Sequence, residues 1–168
     1  AGLPKGVLNV VTGLGTEAGA ALSSHPGIHH ISFTGSVGIG KLIQKAAGNN
    51  IVPVTLELGG KSPQIIFDDA DLDAALPFLV NGGIQNAGQT CSAGTRILIQ
   101  RGVYEKVIQM MCSKISLLKV GSAIDDLDLG PLISPKQKIV LERYIAHGVE
   151  SGLKIAAQGL ISDDCPSA

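Results

Sequence analysis

The sequence predicts an α/β fold built on parallel strands, and three observations lead there. Residues 7–24 and 30–47 each read as strand, glycine turn, helix, and successive units of that kind close as a parallel sheet with helices on its face. Gly59-Gly60-Lys61-Ser62-Pro63 then interrupts the rhythm with a run of turn residues, which marks a domain crossing. Beyond it, short β-rich runs alternate with amphipathic stretches.

The elements follow in order. Residues 7–11 form a β-branched apolar run closed by Thr12-Gly13, a predicted strand, and the Ala-rich stretch 16–24 predicts a helix stopped near Pro26. Strand 30–34, the turn Gly35-Ser36 and helix 37–47 repeat the pattern. Strands are expected at 52–58 and 64–67. Asp69-Ala70-Asp71 offers caps for a helix starting near Leu72 and interrupted at Pro77 and Gly82-Gly83 on its way to Asn86. A loop at 87–95 precedes a strand at 96–100, helices at 103–118 and 137–148, and a last strand at 153–157. Residues 158–168 read as an irregular tail, and Ala1-Gly2-Leu3-Pro4-Lys5-Gly6 as loop material that continues an earlier element.

Composition narrows the function classes. With 45% hydrophobic and 16% charged residues and a net charge of -1, the chain has no concentrated basic patch for nucleic acid or acidic lipid. No apolar run approaches the roughly 20 residues of a membrane span. Cys91, Cys112 and Cys165 are odd in number and widely spaced, which fits neither a disulfide framework nor paired zinc ligands. His25, His29, His30 and His147 have no ligand spacing, so no metal is expected. A cytoplasmic protein is the natural reading.

Three segments can carry chemistry. Gly35, Ser36, Val37, Gly38, Ile39 and Gly40 follow a strand and open a helix, where free N–H groups favour a phosphate; a plain tight turn explains them too. Neither this run nor the Gly13–Gly19 stretch has the G-x-G-x-x-G spacing. Cys91 sits in Asn86-Ala87-Gly88-Gln89-Thr90-Cys91-Ser92-Ala93-Gly94, a small-residue loop that leaves room for a nucleophilic sulfur, or for an inert buried thiol. Glu57 stands between Leu56 and Leu58. Buried there it would be tuned towards general-base work; otherwise it faces water or pairs with Lys61. Asp68, Asp69, Asp71 and Asp73 suit helix capping rather than calcium.

Taken together, Phe33-Thr34-Gly35-Ser36, Leu56-Glu57-Leu58-Gly59-Gly60-Lys61-Ser62-Pro63 and Gly88-Gln89-Thr90-Cys91 resemble, in order and spacing, the aldehyde dehydrogenase superfamily. Lesser matches fall in Gly2-Leu3-Pro4, Gly6-Val7-Leu8-Asn9, residues 69–73 and Gly130-Pro131-Leu132. The resemblance implies that residues 1–56 are the C-terminal part of a Rossmann-like coenzyme domain and 57–168 the N-terminal part of an α/β catalytic domain. It implies NAD or NADP as cofactor, with Gly35 through Gly40 on the pyrophosphate and the Leu58 backbone near the nicotinamide. Cys91 would be the nucleophile that takes a small-molecule aldehyde through thiohemiacetal and thioester, and Glu57 the base for hydrolysis. Full-length members are homo-oligomers.

The same resemblance implies absences. Members carry an aromatic-Asn-Pro segment and a ribose-binding Lys upstream, and a Glu-Phe-Gly-Pro-type motif downstream; none is among these residues. The chain therefore reads as a central fragment of low activity alone, with apolar faces left uncovered. Two other classes stay open: a non-catalytic binding or assembly module, and a cofactor-independent thiol hydrolase using Cys91 and Glu57.

Overall fold

The computed structural model describes residues 2–163 and 165. The chain divides into two compact units, Ala1–Gly59 and Gly60–Ala168. The expected boundary lay at 56/57.

One arrangement recurs three times: strand, crossover, parallel strand. In the first unit β1 (Ile31–Gly35) pairs in parallel with β2 (Val54–Leu58), and the helix α2 (Val37–Gly48) joins them. In the second, β3 (Pro63–Ile66) pairs with β4 (Arg96–Ile99) around α3 (Leu72–Ile84). A short pair, β5 (Lys119–Val120) and β6 (Leu160–Ile161), is joined through α5 (Pro135–Glu150). A parallel pair cannot be closed by a hairpin, so each needs its crossover. Two further helices, α1 (Ala20–Ser24) and α4 (Tyr104–Ile115), complete the set among the described residues.

Local chemistry sets the helix starts. The Ser36 hydroxyl accepts from the Ile39 N–H at 3.4 Å, the Asp71 carboxylate from Ala74 at 3.1 Å, and the Ser134 hydroxyl from Gln137 at 3.3 Å. Pro135 fills the first turn of α5, where its missing N–H costs nothing. Pro77 lies inside α3, which runs through it unbroken. The Asp73 carbonyl that loses its donor belongs to an exposed residue, so water can satisfy it.

The core belongs to the second unit. Ile66, Leu72, Leu79, Val80, Val107, Met111 and Leu118 are buried together, packing β3 against α3 and α4. In the first unit, α2 lies on the sheet through Gly40, where an added Cβ would come within 2.8 Å of a Leu58 methyl. A larger residue there would require the Leu58 side chain to shift.

Several expectations are corrected. Residues 7–11 form no strand; Val10 is 80% exposed. A β-branched run becomes a strand only where a neighbour completes its ladder, and β1 and β2 pair with each other alone. The helix expected at 16–24 opens instead as a π-helical turn, Gly15–Gly19, before α1. Residues 153–157 are not a strand either. Pairing starts after Gly159, whose missing Cβ lets the chain close on the Leu118 carbonyl, so that Leu160 N–H donates to it at 2.7 Å. The irregular tail expected over 158–168 thus contains β6, and residues 164 and 166–168 lie outside the described residues.

The accessible surface is 12526 Å² for 17.2 kDa, against about 7800 Å² for a folded monomer of that mass by the usual scaling. Helix α5 alone exposes Ile139, Leu141, Ile145 and Val149 and buries no residue. On sizing, the purified chain is expected to self-associate, and a monodisperse monomer would contradict this. Leu79→Ala is expected to lower the unfolding free energy in urea by about 2–5 kcal/mol, because Leu79 is buried in the core.

Candidate functional site

The glycine turn and the glutamate meet at one edge of one sheet. Register places Thr34 opposite Glu57 and Gly35 opposite Leu58, so Ser36 and the start of α2 lie directly beyond the C-terminal ends of β1 and β2. Ligands of parallel α/β sheets bind at that end. Ser36 Oγ takes the Ile39 amide and the Ser36 carbonyl takes the Gly40 amide at 2.9 Å. The Val37 and Gly38 amides remain, pointing out of the positive end of a 12-residue helix. Of the six residues singled out for phosphate, these two therefore have donors to spare.

Glu57 is exposed, not buried. Along β2 the side chains alternate, with Val54, Leu56 and Leu58 half-buried and Thr55 and Glu57 outward. Ser32 and Thr34 extend the same polar face on β1, and the His30 ring bonds the Thr55 hydroxyl at 3.1 Å. The Lys61 ammonium donates to the Gly60 carbonyl at 2.9 Å.

Cys91 belongs to the second unit and is exposed at the corner of a turn closed by the Ala93 amide on the Thr90 carbonyl at 3.1 Å. Among the described residues, no group accepts from the Cys91 or Ser92 amide, so both can face an oxyanion. Upstream, Asn86, Ala87 and Gly88 are left-handed in succession, with φ of 51°, 55° and 75°. For Asn86 and Ala87 that backbone is unfavourable and must be held from outside. The holding groups are local. Gln89 Nε2 donates to the Asn86 carbonyl at 3.1 Å, Asn86 Nδ2 donates to the Gln89 carbonyl at 3.3 Å, and Gln89 Oε1 accepts from the Ile133 amide at 2.9 Å.

Downstream, Gln64 fixes the loop. Its Nε2 donates to the Leu79 carbonyl in α3 at 2.9 Å and to the Gly94 carbonyl at 2.8 Å, while the Gly94 amide donates to the Gly82 carbonyl at 2.8 Å. Glycines make the fit possible. A Cβ on Gly94 would lie 2.6 Å from Gln64 Cγ, and one on Gly60 would lie 3.3 Å from the Cys91 carbonyl. Sequence reasoning passed over Gln64, although a visible signal existed: it shares the inward face of β3 with buried Ile66. Cys112 is half-buried on α4. No group of three or more His, Cys, Asp or Glu among the described residues is placed to hold a metal.

Comparison with known proteins decides the family. The aldehyde dehydrogenase family profile matches residues 1–166. This chain belongs to the aldehyde dehydrogenase family. Retinal dehydrogenase 2 of Homo sapiens is 47% identical over 161 residues, 95% of this chain and 31% of that protein. An aldehyde dehydrogenase of Emericella nidulans is 45% identical, with 95% and 32% covered. A crystal structure from Burkholderia cenocepacia, assigned as an aldehyde dehydrogenase, superposes with a TM-score of 0.95 at 55% identity, covering 99% of this chain and 35% of that one. The betaine aldehyde dehydrogenase of Staphylococcus aureus in complex with NAD+ gives 0.85 at 42% identity, covering 93% and 31%. The chain spans about a third of the length of the relatives it matches. No helix of this aldehyde dehydrogenase family chain is long and apolar enough to cross a membrane, among the described residues.

The packing of Gly94 gives a direct test. Gly94→Ala is expected to cost about 1–3 kcal/mol by overpacking Gln64. In a Gln64→Ala background that cost should largely vanish, since the clashing atoms are gone; additivity in a urea double-mutant cycle would refute the contact.

Proposed function

We propose that this chain carries the nucleophile and base of an NAD(P)-dependent oxidation of an aldehyde to a carboxylic acid. The register that sets Glu57 and Leu58 beside Thr34 and Gly35 carries the reading, because it gathers the candidate base and the candidate pyrophosphate turn at one sheet edge. The donor set there suits a dinucleotide: two spare amides at a helix start, with the Ser36 hydroxyl beside them. Val37 and Gly38 would bind the pyrophosphate, Gly35, Ser36, Ile39 and Gly40 would shape the turn, and Leu58 would border the nicotinamide. NAD+ in the Staphylococcus aureus and Bacillus cereus complexes supports that cofactor.

In this mechanism Cys91 Sγ bonds to the aldehyde carbon as its thiol proton leaves to solvent. The resulting oxyanion accepts hydrogen bonds from the Cys91 and Ser92 amides. When bound, nicotinamide would supply the acceptor for the hydride that the carbon loses as thiohemiacetal becomes thioester. Glu57 then takes a proton from water, whose oxygen adds to the acyl carbon. The carbon–sulfur bond breaks, the acid departs and the Cys91 thiol is restored. Domain roles follow the same reading, with coenzyme binding assigned to residues 1–56 and acyl chemistry to 57–168, in a cytoplasmic setting.

The relatives' names make betaine aldehyde and retinal the first aldehydes to try. Cys91→Ser is expected to abolish adduct formation detected by mass spectrometry, and Glu57→Gln to let the acyl adduct persist. Turnover by the 168-residue chain alone should be slow, since each missing oxyanion donor costs about 100- to 1000-fold. An undiminished reduced-nicotinamide signal from Cys91→Ser would overturn the assignment. Equal hydrolysis of an ester with and without NAD, lost in Cys91→Ser, would favour a cofactor-independent thiol hydrolase.

A further inference from the structure

We infer that Gln89 is a positioning residue that places the Cys91 thiol by latching its turn to the distant segment at Ile133; this rests on Cys91 being the nucleophile. The argument begins with what the turn lacks. From Ala87 to Gly94 the residues are small or polar, and only Ala93 and Gly94 are buried, so little apolar packing holds the sulfur in place. Its upstream arm also runs through the unfavourable left-handed backbone of Asn86 and Ala87. Something directional must compensate.

Gln89 does so with both ends of its amide. Nε2 donates to the Asn86 carbonyl, which fixes the left-handed arm, and Oε1 accepts from the Ile133 amide, 44 residues away in sequence. The Gln89 amide N–H also donates to the Asn86 carbonyl at 3.1 Å. Among the hydrogen bonds of the described residues, the long-range one alone ties this arm to the stretch leading into α5. Ile133 offers only its backbone: its side chain is 83% exposed. The latch is therefore one hydrogen bond that can be removed from either partner.

The test measures alkylation of Cys91 by iodoacetamide in the purified chain, by peptide mass spectrometry, with half-buried Cys112 as internal standard. Gln89→Leu removes both side-chain bonds of Gln89, and the Cys91 rate is expected to fall by at least about three- to tenfold, the factor that corresponds to one net hydrogen bond. Gln89→Glu retains an acceptor for Ile133 and should restore most of the rate. Ile133→Pro deletes only the long-range donor, so it should reproduce about a three- to tenfold loss and not exceed that of Gln89→Leu, and adding it to Gln89→Leu should lower the rate no further. A similar loss in all three variants, with Cys112 labelling rising, would mean general loosening and overturn the latch. Unchanged Cys91 rates in Gln89→Leu and Ile133→Pro would also overturn it while leaving the nucleophile intact. A wild-type Cys91 no faster than Cys112 would instead overturn Cys91 as nucleophile, and the latch with it.

Discussion

Parallel pairing is the constraint from which the rest follows. Two strands that run the same way must be joined by a crossover, and the crossover begins where the first strand ends. The chain leaving β1 at Gly35 must therefore turn at once into α2, and it does so beside the end of β2. That geometry brings a helix N-terminus, a glycine turn and an acidic strand end to one edge without any special contact among them. The second unit repeats the scheme: the chain leaves β3 at Ile66, crosses in α3 and returns through the Cys91 loop to enter β4 at Arg96. The nucleophile candidate is thus an insertion in a crossover, held where helix becomes strand.

The two units differ in how they are held together. The second has a contiguous aliphatic core with the fully buried Val80 and Val107 at its heart. Among its described residues, the first buries only Ala47, Gly40 and Ser23. Parallel sheets ordinarily cover both faces. Here one face of β1 and β2 is packed on α2 and the other carries Ser32, Thr34, Thr55 and Glu57 to solvent. The polar alternation makes that exposure tolerable for the strands, whereas the apolar exposure of Val10, Val11 and the α5 stripe has no such relief.

Where sequence reading succeeded, a local cause was sufficient. Asp71 caps the helix expected to start near Leu72, and helix α2 ends within one residue of its expected limit. Failure came where the deciding partner is remote. Residues 7–11 have strand composition but no ladder, and 153–157 yields to 160–161 because only beyond Gly159 can the chain approach Leu118. Of the two readings left open for Glu57, burial or exposure to water, the outward one holds, and Thr55 two residues earlier already marked that face. The left-handed Asn86 and Ala87 had no visible signal. Neither residue requires that backbone, and bonds from Gln89 impose it.

The cysteine turn also explains why glutamines, and not hydrophobes, do the holding. A candidate nucleophile such as Cys91 would need open space for a substrate and unpaired amides nearby, and bulky apolar neighbours would defeat both needs. Hydrogen bonds supply direction without volume. Gln64 achieves this downstream by donating to two carbonyls from a half-buried position, close against Gly82 and Gly94. Gln89 achieves it upstream with an acceptor and a donor. Between them the turn from Thr90 to Ala93 keeps the Cys91 and Ser92 amides free. A rigid frame around a bare centre is what oxyanion stabilisation requires, because donors fixed before the reaction need no reorganisation during it.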